Sequence, residues 1–127
     1  IRKAYENDVL EVWGDGSPIR DFIHAKDVAR GMMFAVENKI TKPLNLGSGK
    51  EVTIGQVAEI VAKYFNKPIQ FSPEKPSGDA KRLFSMERAN SYGFYPEISI
   101  EEGVEDAIKW FILNKDLVDK RVNVLNK

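Results

Sequence analysis

Val9-Leu10-Glu11-Val12-Trp13-Gly14-Asp15-Gly16-Ser17-Pro18-Ile19-Arg20-Asp21-Phe22-Ile23 carries the reading of the fold. Its first five residues are rich in β formers, the next five are dense in turn residues, and the last five alternate with period two. Two strands around a tight loop are expected. Directly downstream, Asp27 stands where a carboxylate can cap first-turn amides, and Val28, Met32, Ala35 and Val36 recur at helical spacing as far as Asn38. Upstream, Ile1-Arg2-Lys3-Ala4-Tyr5-Glu6 reads as the end of a helix whose beginning is cut away. A fragment of a longer protein is expected.

Working outward, Leu44-Asn45-Leu46 reads as a short apolar strand closed by Gly47-Ser48-Gly49. Thr53-x-x-Gln56 is a capping box that opens a helix with Val57, Ile60, Val61, Tyr64 and Phe65 as its buried stripe. Pro68 stops that helix, Ile69-Gln70-Phe71 reads as a strand, and the Ser72-Pro73-Glu74-Lys75-Pro76-Ser77-Gly78 run is too proline-rich for regular structure. An edge strand over 81–84 follows. Ser85 is placed to cap a short helix that ends at Gly93, and Ser99-x-x-Glu102 opens a final long helix whose apolar face is Val104, Ala107, Ile108, Phe111 and Ile112. The tail beyond Asn114 is expected to continue it. Helices and short strands alternate without a repeat, so the chain reads as one small mixed α/β domain of about four helices over residues 1–127.

At 127 residues with 43% hydrophobic side chains, the chain can bury a core without staples. Zero cysteine removes disulfides, thiolate metal sites and cysteine nucleophiles together, and fits a reducing, cytoplasmic setting. Nineteen basic residues against nineteen acidic ones leave no global field for nucleic acid or an anionic membrane, so neither is expected as a partner. Any anion site must be a local cluster. No apolar run approaches the roughly 18 residues that a membrane span needs.

A metal site is not expected, because the only histidine is His24 and no converging oxygen ligands accompany it. His24 is also the sole partner for a serine nucleophile, and its place at the end of the alternating run favours a structural imidazole. Gly47-Ser48-Gly49, between strand and helix, has the position of a phosphate-cradling turn but lacks the third glycine, which favours a plain turn. The informative feature is cationic. Arg20 lies on the second strand, while Lys75, Lys81 and Arg82 bracket the loop around Gly78; if these regions meet, they form a diphosphate clamp, with Trp13 free to cover a base or sugar. The competing reading leaves these as ordinary exposed charges and puts Trp13 in the core.

The run from Val12 through Arg20-Asp21-Phe22-Ile23-His24-Ala25-Lys26-Asp27-Val28-Ala29 resembles extended short-chain dehydrogenase/reductases that act on nucleotide sugars, the NAD-dependent epimerase/dehydratase family. The same order continues through Asn45-Leu46-Gly47-Ser48-Gly49, Thr53-Ile54, Lys75-Pro76-Ser77-Gly78, Arg82, Gly93-Phe94-Tyr95-Pro96 and Trp110-Phe111. Within that family the nearest look is the GDP-L-fucose synthase group, with dehydratase-like and UDP-sugar epimerase-like features also present. The resemblance implies that Arg20 contacts the substrate diphosphate, that Lys75 helps from the other side, that Trp13 lines the cleft and that Arg82 is a second-rank contact. It implies a GDP sugar first, with UDP and dTDP sugars as alternatives.

Family members carry NAD or NADP on a glycine-rich turn and use a Tyr-x-x-x-Lys pair for proton transfer. Here the residues four positions after Tyr5, Tyr64, Tyr92 and Tyr95 are Val9, Pro68, Pro96 and Ser99. The chain therefore looks like the carboxy-terminal, substrate-binding part of such an enzyme, with no catalytic residue, no bound cofactor and no turnover of its own. Severed apolar surface along 44–46 and the Asp27 helix predicts a homodimer. A binding module from another class, contacting a protein or RNA through its aromatic residues and Lys/Arg cluster, is the alternative.

Overall fold

The computed structural model describes residues 1–122. In chain order the elements are α1 (Arg2–Glu6), β1 (Leu10–Trp13), β2 (Ile19–Arg20), α2 (Ala25–Glu37), β3 (Val52–Thr53), α3 (Ile54–Phe65), β4 (Ile69–Ser72), β5 (Lys81–Arg82), α4 (Glu87–Ser91) and α5 (Ile100–Val122). Among the described residues five helices, rather than about four, alternate with short strands, and the mixed α/β character stands. No helix among the described residues is long and apolar enough to cross a membrane.

The two opening strands do not pair with one another. β1 runs parallel to β4, with Leu10 opposite Ile69 and Trp13 opposite Ser72, while β2 lies between antiparallel β3 and parallel β5. The hairpin fails because its loop is already engaged. Gly16 and Pro18 carbonyls accept the Gly55 and Ile54 amides at 2.8 and 3.0 Å, so the turn receives the first free donors of α3 instead of closing a hairpin. Only Ile19 and Arg20 of the alternating run remain in a ladder.

α3 starts at the expected capping box: Thr53 Oγ1 accepts the Gln56 amide and Gln56 Oε1 accepts the Thr53 amide. Its most buried positions are Gly55, Ala58, Val61 and Ala62, and Tyr64 stays exposed, so the stripe is rotated from the expected one. The small residues let α3 approach β1 and α5 closely. Ala4, Leu10, Ala58, Val61, Ala62 and Ile108 form the main core, with Phe65, Val104 and Ile112 packed against it. α5 follows its second capping box, Ser99 with Glu102, and buries Ile108 and Phe111 from the expected face. Donation from the Ser99 amide and hydroxyl holds the Glu102 carboxyl below its ordinary value.

α2 departs furthest from expectation. His24, not Asp27, is its N-cap, with Nδ1 accepting the Lys26 amide at 3.2 Å. Asp27 points inward and is buried: Oδ2 accepts the Glu97 and Ile98 amides at 3.0 and 2.9 Å, and Oδ1 accepts from Arg30 at 2.8 Å. The helix consequently turns Asp27 toward the amides of residues 97 and 98 and Gly31 and Phe34 toward Phe94; of the apolar face expected from spacing, Val28 and Ala35 are half-buried while Met32 and Val36 are exposed. The expected strand at 44–46 is irregular, because among the described residues no strand lies alongside it. Leu46 instead packs on a second, smaller cluster of Met86, Ala89 and Phe94.

Candidate functional site

The two cationic regions singled out in the sequence do meet. β2 and β5 lie side by side with Arg20 opposite Arg82 and Ile19 opposite Lys81, so the two arginines leave neighbouring strands as an adjacent pair. Arg20 is half-buried. Its Nη1 donates to the carbonyls of Ile19 and Asp79, both at 2.8 Å, which anchors one edge of the guanidinium and ties β2 to the loop before β5. Among the described residues Nε and Nη2 donate to nothing, and no carboxylate pairs with Arg20. That leaves the planar fork suited to a phosphate. Gly78 passes beside Nη2, at 3.5 Å from the place a side chain would start.

The other cations differ in their partners. Arg82 is paired with the Asp79 carboxylate and Lys81 with that of Glu51, both on the surface. Such pairs stabilise little and exchange readily for a stronger anion. Lys75 has no acidic partner among the described residues; its Nζ sits 5.4 Å from the ring centre of Trp13. Lys3 stands at the same 5.4 Å from that ring. Trp13 is 52% exposed, so the core reading of this residue is wrong. It is a lysine-flanked aromatic surface at the rim of the same loop, which is pressed against the strand end: a Cβ on Gly14 would stand 2.6 Å from that of Ser77. Two cavities lie elsewhere, one of 470 Å³ beside Pro43 and Arg88 and one of 360 Å³ between Phe22, Val57 and Val104. Neither includes Arg20, Lys75 or Trp13, and the group they form is an open rim.

His24 takes the structural role: besides capping α2, its Nε2 lies 3.3 Å from Asp106 of α5. The Asp106 carboxyl is held below its ordinary value, foremost by the hydrogen bond from Lys26. The glycine turn holds an anion, but the anion is internal. Ser48 donates its amide and hydroxyl to Asp21 Oδ1 at 2.5 and 2.8 Å, and the Gly49 amide reaches Oδ2 at 3.3 Å. Sequence reasoning did not single out Asp21 or Arg30, and it gave Asp27 a capping role that His24 fills. Two acids beside the cationic strand and the glycine turn were the available signal for the first, but spacing alone does not say which carboxylate fills which turn.

A model of the NAD dependent epimerase/dehydratase family matches residues 1–47. Over 122 residues the chain is 35% identical to a GDP-L-fucose synthase of Sinorhizobium fredii, covering 90% of this chain and 39% of that protein. An epimerase structure from Methanothermobacter thermautotrophicus superposes with a TM-score of 0.80 at 28% identity, over 94% of this chain and 37% of that one. A GDP-L-fucose synthetase from Naegleria fowleri bound to NADP superposes at 0.76 with 25% identity, over 91% and 39%. The resemblance to NAD-dependent epimerase/dehydratase proteins, GDP-L-fucose synthases among them, thus extends along nearly the whole chain. The chain spans about two fifths of the length of these relatives.

Proposed function

We propose that this chain is the carboxy-terminal, substrate-binding part of an NAD(P)-dependent nucleotide-sugar epimerase, dehydratase or reductase, and that it grips the diphosphate of a nucleotide sugar. The observation that carries the reading is the β2–β5 register, which sets Arg20 beside Arg82 with the Arg20 fork uncommitted to any carboxylate. Arg20 offers two parallel N–H donors to phosphate oxygens, and Lys75 adds a point charge from the loop. Arg82 joins by exchanging Asp79 for the ligand. Trp13 covers the sugar or base at the rim. The likeness to GDP-L-fucose synthases supports a GDP sugar ahead of UDP and dTDP sugars.

NAD(P) does not fit the described residues. In the Gly47-Ser48-Gly49 turn the Ser48 and Gly49 amides are taken by Asp21, and no tyrosine is followed at four residues by lysine. The cofactor site and the acid–base pair are therefore assigned to another portion of the parent protein, and this chain alone turns nothing over. Its contribution to rate is positional: binding energy from the diphosphate, remote from the reacting carbon, holds the sugar in a reactive geometry. Sequencing the reading frame upstream of Ile1 tests the assignment. A glycine-rich dinucleotide turn and a Tyr-x-x-x-Lys pair are expected there, and an unrelated domain in frame would overturn it.

A further inference from the structure

The β2–β5 ladder has only two residue pairs, Ile19 with Lys81 and Arg20 with Arg82, and both place side chains at least one of which is cationic against the joint. Like charges on facing strand positions repel. A ladder so short needs something else to hold it closed. Its own backbone contribution includes the Ile19 amide on the Ala80 carbonyl at 2.9 Å. The residue after Arg20 supplies more. Asp21 receives two donors from Ser48 and one from Gly49, in the turn that leads to β3, and the Phe84 amide, just past β5, at 3.4 Å. One carboxylate thus ties the segments on both sides of β2 at the same end of the three-stranded sheet. Gly47 makes the seat possible: a Cβ there would stand 2.6 Å from Asp21 Oδ2.

We propose that Asp21, seated in the Gly47-Ser48-Gly49 turn, is the positioning residue that holds Arg20 and Arg82 side by side. It touches no ligand; it acts through Arg20. This rests on the diphosphate-binding reading for its purpose, but not for its geometry. Two variants break the seat differently. Asp21→Asn removes the charge and turns one acceptor into a donor facing N–H groups, whereas Gly47→Ala keeps the charge and displaces the carboxylate.

The experiment is amide hydrogen exchange by NMR on the full chain, paired with calorimetric titration of GDP. Both variants are expected to speed exchange of the Ile19 amide at least tenfold while α5 amides stay protected, which also verifies that the variants fold. GDP binding is expected to weaken about tenfold in each, and Asp21→Asn is expected to add nothing in an Arg20→Ala background. Unchanged Ile19 exchange in both variants would overturn the proposal, as would an equal loss of GDP affinity with and without Arg20. A wild-type chain that binds no GDP counts against the functional reading alone, and the exchange of Ile19 still decides the role of Asp21.

Discussion

Two apolar clusters divide this molecule, and they are finished to different degrees. The cluster of α1, β1, α3 and α5 is closed: Ile108 is fully buried, and Tyr5 packs edge-on against Phe65 and Phe111 at 6.1 and 5.7 Å. The cluster around Phe94 is buried too but smaller, and the outer face of the helix that covers it presents Met32, Met33 and Val36, with Val36 73% exposed. A closed cluster is a core in its own right. The outer face of α2 is an exposed apolar patch of the kind that association surfaces use. The cationic rim lies at the edge of the β3-β2-β5 sheet, so it too is an open face.

The largest break of the comparison is expected in the closed cluster. Ile108→Ala should cost about 3 to 4 kcal/mol of folding stability, since it removes buried methyl groups and leaves a cavity that α3 and α5 cannot fill. Val36→Ala on the open side should cost under about 0.5 kcal/mol, because little of it leaves water on folding. Urea unfolding followed by circular dichroism compares the two, and equal losses would erase the distinction.

Asp27 joins the clusters by clamping α2 to the segment before α5. Removing it as Asp27→Ala leaves the Glu97 and Ile98 amides and the Arg30 guanidinium without their acceptor, at an expected cost of about 3 kcal/mol. Burial works against its charge, but donation from Ile98, Arg30 and Glu97 outweighs that and holds the carboxyl below its ordinary value. A depressed folded-state value means that the stabilisation is complete above the unfolded-chain value of about 3.9 and drains away as pH falls through the folded one. The urea midpoint should therefore drop more between pH 6 and pH 3 in the wild type than in Asp27→Asn. A parallel fall in both would remove the clamp from the account.

The smallest effect on stability should come with the clearest effect on association. We expect the chain to dimerise through the open α2 face, and Met32→Gln with Val36→Ser to shift it to monomer, with the unfolding midpoint unchanged at protein concentrations low enough for both to be monomeric. Sedimentation at high concentration checks this, and a wild type that stays monomeric would contradict it.

What was legible in the sequence was local. Both capping boxes were readable because side chain and amide lie three residues apart, and the α5 face because its apolar residues are large and regularly spaced. Pairing was not. β1 meets a strand nearly 60 residues away, and β2, β3 and β5 are two-residue ladders defined by register, which no propensity encodes. The α2 face was misread because a carboxylate took the buried position, and the donors that satisfy it come from residues 97 and 98. Arg20, Lys75, Arg82 and Trp13 were visible as residue types, but their ranking came from partners that spacing hides: Asp79 and Glu51 neutralise two cations and leave Arg20 without a carboxylate.

The most direct test of the central claim is calorimetric titration of this chain with GDP, UDP and dTDP sugars, repeated with Arg20→Ala. The account predicts saturable binding, tightest for a GDP sugar, that weakens at least tenfold in the variant. Undiminished binding by Arg20→Ala, or no saturation by any of the three at millimolar ligand, would contradict it.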